Sequence, residues 1–258
     1  MLRTSMLALA AAGFVFTSYA TPFADSVVSY DPGVGYALRF THTEAVLGEP
    51  SRVNPFTEPT DSFNPPYGTN QVLSVGAGGS VVVQFHQPII NHPNNLFGLD
   101  FIVFGNTGFI ITNEFDLMTY NWIGIPATDG SLFGQNTDST LLSVSRDGVE
   151  FYALEPLLAP VVDNLFPTDG TGDFQIPLDP IVAPQDFSGQ TLQDIRALYN
   201  GSGGGAAFDI SWARDADGNR VFLPEINFVR IDVLDGKSEI DGFAAVKRAP
   251  RPRGSVSR

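Results

Sequence analysis

The stretch INFVRIDVLDGKSEIDGFAAV, residues 226–246, carries the clearest structural signal in this chain. Apolar and polar residues alternate from Ile226 to Val233 with the period of two that a half-buried strand requires. The tetrapeptide Leu-Asp-Gly-Lys that follows favours a turn, so the pattern predicts two strands that pair with each other, the second ending near Val246. This segment therefore specifies sheet structure and contains no catalytic motif.

Similar short apolar runs occur along most of the chain and are separated by turns, which 26 glycines and 19 prolines favour. One short helix is predicted near residues 191–199, where Leu192, Ile195 and Leu198 have helical spacing and Thr191 offers a cap. A single late helix argues against alternating βαβ units. The fold class predicted is all-β, an antiparallel β-sandwich of the jelly-roll type. Its predicted strands cover residues 26–30, 36–40, 71–75, 80–85, 100–104, 141–145, 149–154, 227–233 and 239–246.

Two segments interrupt the strand pattern. Residues 50–70 are rich in Pro, Asn, Thr and Ser, and residues 107–139 are aromatic and lack regular alternation. Both are interpreted as long loops at one end of a single domain that covers residues 21–246. The tail 247–258 contains five of the 14 basic residues, and its Pro and Ser content predicts disorder.

The N-terminus has the layout of a secretory signal. Residues 1–20 contain an early Arg3, an apolar run and the small residue Ala20, after which we expect cleavage. The apolar run is shorter than the roughly 20 residues that a membrane span requires. The prediction is a secreted or cell-surface protein with no transmembrane segment after removal of the signal.

Charge and composition limit the function classes. The formal net charge is −14, which disfavours nucleic acid and anionic membrane surfaces but suits divalent cations or neutral ligands such as sugars. The chain has no cysteine, so the fold depends on its core without disulfides. Its three histidines are scattered and do not have the spacing of zinc ligands. No G-x-S-x-G elbow precedes a helix, and the glycines of 201–205 are better explained as a helix stop than as a phosphate loop.

Several segments resemble a family of exported bacterial surface proteins, many of which carry a PEP-CTERM sorting tail. The resemblance implies a galactose-binding-like, discoidin-type jelly roll without established enzymatic activity. The chain departs from the family in two respects: the Pro-Glu-Pro motif, apolar span and Arg cluster of the sorting tail are not found in it, and Gly105 stands where relatives often have Glu. The segments that carry the resemblance are FADSVVSYDPG (23–33), AVLGEPS (45–51), 73–106, LLSVSRDGVEFYAL (141–154) and 186–246.

Two groups of acidic residues are candidate calcium ligands. Asp215 and Asp217 flank a tight Gly turn with oxygens at alternate positions, although the bidentate Glu of a full loop is missing and a plain turn explains the pattern as well. The resemblance implies a second site, with Asp241 on the last strand and carbonyls near Asp31 as ligands and Glu239 close by. For Asp241, a structural cation and a hydrogen-bonded turn acid both remain open, because an unpaired buried carboxylate is costly.

Aromatic residues provide the remaining clue to a ligand. Tyr67, Tyr120 and Trp122 lie in the two long segments, and Trp212 precedes the acidic turn. An exposed ring beside Asn, Asp or Gln can stack on a sugar, but in a chain that is 12% aromatic core packing is the more common role of such rings. The function expected is non-catalytic binding of a glycan or a surface partner, with calcium as a possible structural cofactor. The alternatives are a purely structural surface or matrix protein and a hydrolase that acts on polysaccharides.

Overall fold

The computed structural model describes residues 21–134, 139–162 and 166–249. The predicted signal peptide, residues 1–20, lies outside these ranges and stays a prediction. The described part of the chain contains one α-helix, α1 (Leu192–Tyr199). Its strands are β1 (Ser26–Asp31), β2 (Leu73–Gly76), β3 (Ser80–Ile90), β4 (Phe101–Gly105), β5 (Gly108–Ile111), β6 (Phe115–Asp116), β7 (Asn121–Trp122), β8 (Ala127–Phe133), β9 (Ser139–Ser145), β10 (Tyr152–Leu154), β11 (Gln190–Thr191), β12 (Ala206–Phe208), β13 (Ala213–Arg214), β14 (Glu225–Asp235) and β15 (Lys237–Ala245).

Two antiparallel sheets form the sandwich. The six-stranded sheet has the order β1-β3-β14-β9-β10-β13, and the four-stranded sheet has the order β12-β4-β15-β2. Their facing side chains make one buried core, which confirms the predicted all-β antiparallel sandwich with a single helix. Core residues from the two sheets include Val83, Val229, Ile231, Phe101, Val103 and Phe243.

The prediction that the strands of 226–246 pair with each other is wrong. Strand β14 lies between β3 and β9 in the six-stranded sheet, whereas β15 lies between β4 and β2 in the opposite sheet. Gly236, with φ of 71°, joins them at a corner that glycine adopts without steric cost. The turn therefore carries the chain from the middle of one sheet to the middle of the other, and both strands obtain their hydrogen bonds from other partners.

A β-bulge in β15 places Ile240 and Phe243 on the same face of the strand. Ile240 pairs with Gly105 and Gly242 pairs with Phe104, so β15 has one extra residue, Asp241. Ile240 and Phe243 consequently both enter the core. Simple alternation predicts that Asp241 shares a face with Phe243, which is wrong because the bulge shifts the register between them.

Residues 50–70 form an irregular segment, as predicted, and cover part of the outer face of the four-stranded sheet. The backbone N–H and the hydroxyl of Ser51 donate to the two carboxylate oxygens of Asp241, at 2.9 and 2.6 Å. The Thr60 hydroxyl then donates to the carbonyl of Ser51 at 2.7 Å. These bonds attach the segment to the middle of β15.

Two other predicted segments differ from the structure. Residues 36–40 contain a turn with a positive φ of 78° at Arg39, because the chain leaves the sheet edge there and the Ala37 N–H donates to the Ser74 hydroxyl. Residues 107–139, predicted to be a loop, contain β5 to β8. Strands β5, β8 and β11 form a small sheet beside α1, and β6 pairs with β7 as a separate ribbon. These short strands contain or adjoin many Gly, Asn and Asp residues, so the alternation of apolar and polar residues that predicts a strand is not visible in the sequence.

Helix α1 has the boundaries that the sequence predicts. The Thr191 hydroxyl accepts a hydrogen bond from the Asp194 N–H at 3.4 Å, and the Asp194 carboxylate accepts one from the Thr191 N–H at 3.1 Å. The helix ends at Asn200, whose φ of 48° is left-handed, followed by Gly201. Among the described residues, no helix has the length and apolar character needed to cross a bilayer.

The first residues of the basic tail make specific contacts with the body. The Lys247 ammonium lies 2.6 Å from the Asp173 carboxylate, and the Ala249 N–H donates to the Asn94 carbonyl at 2.9 Å. The predicted disorder therefore does not include Lys247 to Ala249. Residues 250–258 lie outside the described ranges.

We expect Phe243→Ala to lower the free energy of unfolding by about 3–5 kcal/mol, because this ring is fully buried between the two sheets. Phe222→Ala is the matched control, since Phe222 is 84% exposed, and should change stability by less than about 0.5 kcal/mol. Urea unfolding followed by far-UV and near-UV circular dichroism measures both. One shared transition is expected because β14 and β15 are central to opposite sheets; separate transitions for the two probes would contradict a single cooperative domain.

Candidate functional site: a cleft at Phe97 and Asp209

Two loops beside the four-stranded sheet contribute to the walls of a cleft. The first loop precedes β4 and contains Phe97, which has a positive φ of 58° and is 51% exposed. The second is the 3-10 turn Ile210–Trp212, which follows β12. Asp209 caps this turn: its carboxylate oxygens accept hydrogen bonds from the Ser211 N–H at 2.7 Å and the Ser211 hydroxyl at 2.8 Å.

The cleft consists of two neighbouring cavities, called its arms below, that have the lining residues Phe97 and Asp209 in common. The apolar arm has a volume of about 480 Å³ and the polar arm about 500 Å³. A ligand in this cleft would meet apolar and aromatic groups on one side and hydrogen-bonding groups on the other. The apolar arm is lined by Leu99, Leu158, Phe166, Leu178 and Trp212 among others. The polar arm is lined by Asn91, His92, Asn95 and Ser211.

Asp100 lies buried behind the cleft and connects its two walls. One carboxylate oxygen accepts hydrogen bonds from the Asn95 amide at 2.7 Å and the His92 N–H at 3.2 Å, and the other accepts from the Ile210 N–H at 2.9 Å. Burial raises the pKa of Asp100 to about 6, although these three donors oppose the shift. The position of each wall therefore depends on the same carboxyl group.

The structure does not bring the four predicted ligand-binding aromatics together. Trp212 lines the apolar arm and packs partly against the main core. Tyr67 contacts Phe56, with ring centroids 6.2 Å apart, within the 50–70 segment. Tyr120 and Trp122 belong to the separate β6–β7 ribbon. In the part of the chain that is described, no ring contact joins any two of the four.

The carboxylates predicted to bind calcium are also dispersed. Asp31 accepts a hydrogen bond from the Gly33 N–H at 3.0 Å, and Glu239 is paired with the Lys237 ammonium at 2.7 Å. Asp241 is buried within β15 and accepts hydrogen bonds from Ser51, so it is not in a turn. Within the described ranges, no three His, Cys, Asp or Glu side chains lie close enough to hold a metal ion.

The acidic turn is held by its own hydrogen bonds. Asp215 accepts from the backbone N–H groups of Asp217 and Asn219, at 3.0 and 2.8 Å, and from the Asn219 amide at 3.2 Å. These bonds lower the pKa of Asp215. A plain turn accounts for the geometry, and Asp217 lies exposed at its tip.

Sequence reasoning missed Phe97, Asp100 and Asp209. Asp100 directly precedes β4 and was indistinguishable from a strand end by pattern alone. The Asp209-Ile210-Ser211 sequence does signal a local cap, since Asp commonly bonds the N–H two residues on. Nothing in the sequence indicates that this cap and Phe97 face each other across a cleft.

Comparison with models of known protein families and with curated proteins finds no match. The fold and the cleft are therefore the observations from which a function has to be inferred.

We expect stability to increase as the pH falls from 8 to 5. Burial raises the pKa of Asp241 to about 7 and that of Asp100 to about 6, so the folded protein binds protons in this range that the unfolded chain does not. Each group contributes up to about 1.4 kcal/mol per pH unit between its unfolded and folded pKa values. Melting temperatures measured at half-unit pH intervals test this.

The Asp241→Asn variant should have a smaller pH slope between pH 8 and 5, because it removes one of the buried carboxyls whose pKa is raised. Asp217→Asn is the control, since this exposed residue should leave the slope unchanged. A melting temperature that decreases as the pH falls through this range would show that the buried carboxyls do not control the dependence.

Proposed function

We propose that this protein is an extracytoplasmic, non-catalytic carbohydrate-binding β-sandwich protein that binds a glycan in the Phe97–Asp209 cleft. The observation that carries the proposal is the junction of the apolar arm, with Phe97 and Trp212, and the polar arm, with Asn91, Ser211 and their neighbours. The signal-like residues 1–20 and the resemblance to exported surface proteins support the location.

The chemistry of the cleft suits a sugar. A sugar ring has a face of C–H groups that stacks on an aromatic ring and an edge of hydroxyl groups that requires hydrogen-bond partners. Phe97 stands where the two arms meet and is half exposed, so its ring is available for stacking. The net charge of −14 favours a neutral glycan over an anionic one.

Binding is favoured over hydrolysis by the acids of the cleft. Glycosidases use two carboxyl groups that flank the scissile bond, about 5–10 Å apart depending on mechanism. Of the described residues that line the two arms, Asp209 alone has a carboxylate, and both its oxygens accept hydrogen bonds from Ser211. Asp100 is buried and bonded to three backbone or amide donors.

We expect Phe97→Ala to weaken glycan binding about tenfold, since one stacked ring contributes on the order of 1 kcal/mol or somewhat more. The substitution keeps a non-glycine residue at the same positive φ, so the loop strain is unchanged. Phe222→Ala, which removes an exposed ring from the edge of the six-stranded sheet, is the control and should bind normally. A glycan array identifies the ligand, and calorimetric titration measures both variants.

Three outcomes would contradict this proposal. Absence of binding to any glycan on the array would favour the purely structural alternative. A loss of affinity in Phe222→Ala but not in Phe97→Ala would show that the glycan binds outside the Phe97–Asp209 cleft. Release of reducing sugar from a polysaccharide would indicate the hydrolase alternative.

Calcium binding stays a separate prediction. A site at Asp241 would have to obtain most of its ligands from backbone carbonyls, because the described acidic side chains do not assemble there. The prediction is that Ca²⁺ raises the melting temperature of chelator-treated protein by several degrees and that Asp241→Asn removes the response. An unchanged melting temperature in millimolar Ca²⁺ would remove the ion from the proposed function.

A further inference from the structure

Exposed apolar side chains are concentrated on one projecting part of the molecule. Strands β5 and β8 form the base of a two-stranded arm, and β6 and β7 form its outer end, the apolar ribbon, residues 115–122. At its tip, Leu117 is 74% exposed, Met118 is 89% and Tyr120 is 79%. Other exposed large apolar side chains on the arm are Ile110, Phe115, Trp122, Ile123, Ile125 and Phe133.

The apolar ribbon is unsupported by the rest of the fold. Its two strands pair with each other and with no other described strand. Phe115 and Trp122 are opposite each other and make an edge-to-face contact with centroids 4.9 Å apart. These apolar side chains lie at the end of an arm and are not part of the core. An exposed apolar patch of this kind indicates a surface that binds a membrane or another molecule.

The ribbon also satisfies many of its own backbone polar groups. The Asp116 carboxylate accepts from the Met118 N–H at 2.8 Å, and the Asn121 amide donates to the Thr119 carbonyl at 2.7 Å. Next to the ribbon, in the adjoining part of the arm, the side-chain amide nitrogen of Asn113 donates hydrogen bonds to the carbonyls of Ile123 and Ile125, at 3.0 and 3.1 Å. A backbone group that already has a hydrogen bond within the protein costs less free energy to transfer out of water than an unbonded one.

Charge excludes some of the surfaces to which such an arm could bind. Residues 107–134 contain three acidic residues, Glu114, Asp116 and Asp129, and no Lys or Arg. Anionic lipid attracts basic segments, so this arm would be repelled by it. An interface without net charge is compatible with the composition, and Tyr and Trp side chains are enriched at such membrane interfaces.

We propose that the apolar ribbon inserts into the interface of a lipid bilayer with no net surface charge. Leu117, Met118 and Tyr120 are 74%, 89% and 79% exposed at its end, and a bilayer can surround a projecting element on all sides. A protein partner would need a matching groove. Asp116 limits the depth, because hydrogen bonds hold its carboxyl in the charged form, with a lowered pKa, close behind the tip. Leu117 and Met118 then reach about 5–10 Å into the boundary between headgroups and acyl chains.

The contact would be independent of the glycan cleft. Trp122 lies on the ribbon and Trp212 in the cleft, and these are the two tryptophans of the protein. The Trp212→Phe variant therefore leaves Trp122 as the only indole, and its fluorescence reports on the ribbon alone. Failure of glycan binding would leave this proposal intact, and the reverse also holds.

The test uses the full chain carrying Trp212→Phe and vesicles of phosphatidylcholine, with brominated phosphatidylcholine as a quencher. We expect the Trp122 emission to shift to shorter wavelength, quenching by the brominated lipid, and co-sedimentation with the vesicles. Met118→Asp should lower the partition coefficient at least tenfold. Leu157→Asp is the matched control, because Leu157 is 93% exposed on a different loop, and it should partition normally.

Four results would overturn the proposal. The first is the absence of any shift, quenching or co-sedimentation with phosphatidylcholine. The second is binding that requires phosphatidylglycerol in the vesicles, which would indicate an electrostatic contact elsewhere. The third is an equal loss in Met118→Asp and Leu157→Asp. The fourth is self-association without lipid that Met118→Asp abolishes, which would identify the ribbon as a contact between copies of the chain.

Discussion

The burial of β15 on both faces is the constraint on which the rest of the structure depends. One face of this strand contributes Ile240 and Phe243 to the core of the sandwich. The other face contains the buried carboxyl of Asp241, which requires hydrogen-bond donors because an unpaired carboxylate in the interior is costly. Ser51 supplies them, so the 50–70 segment provides the hydrogen-bond partners that this buried position requires.

From Ser51 the same network extends outward through the loops. Thr60 bonds the carbonyl of Ser51, and the Gly170 N–H donates to the Thr60 carbonyl at 3.0 Å. Beside it, the buried carboxylate of Asp169 accepts from Arg196 of α1 at 2.7 Å. Helix α1 is thus attached to the centre of the sheet by polar contacts between irregular segments, which gives the outer layer a defined position without regular structure.

The fold presents two surfaces of different character. Asp100, at the start of β4, joins both walls of the cleft, so the geometry of the proposed glycan site depends on one buried group. The β5–β8 arm is anchored near α1 by Phe109 and ends in the apolar ribbon. A protein with both surfaces would hold a sugar and a neutral lipid interface at the same time, since neither surface uses residues of the other.

The sequence by itself determined the all-β class, the helix from Leu192 to Tyr199 with its caps, and most of the core strands, because these depend on local periodicity and on side chains that bond nearby backbone. It identified Trp212 as a candidate ligand residue but not Phe97 or Asp209. Tertiary structure alone decided that β14 and β15 join opposite sheets, that a bulge separates Asp241 from Phe243, and that two distant loops meet at Asp100. These features arise from contacts between residues far apart in the chain, and hydrogen bonds and burial at that range leave no periodic trace in the sequence.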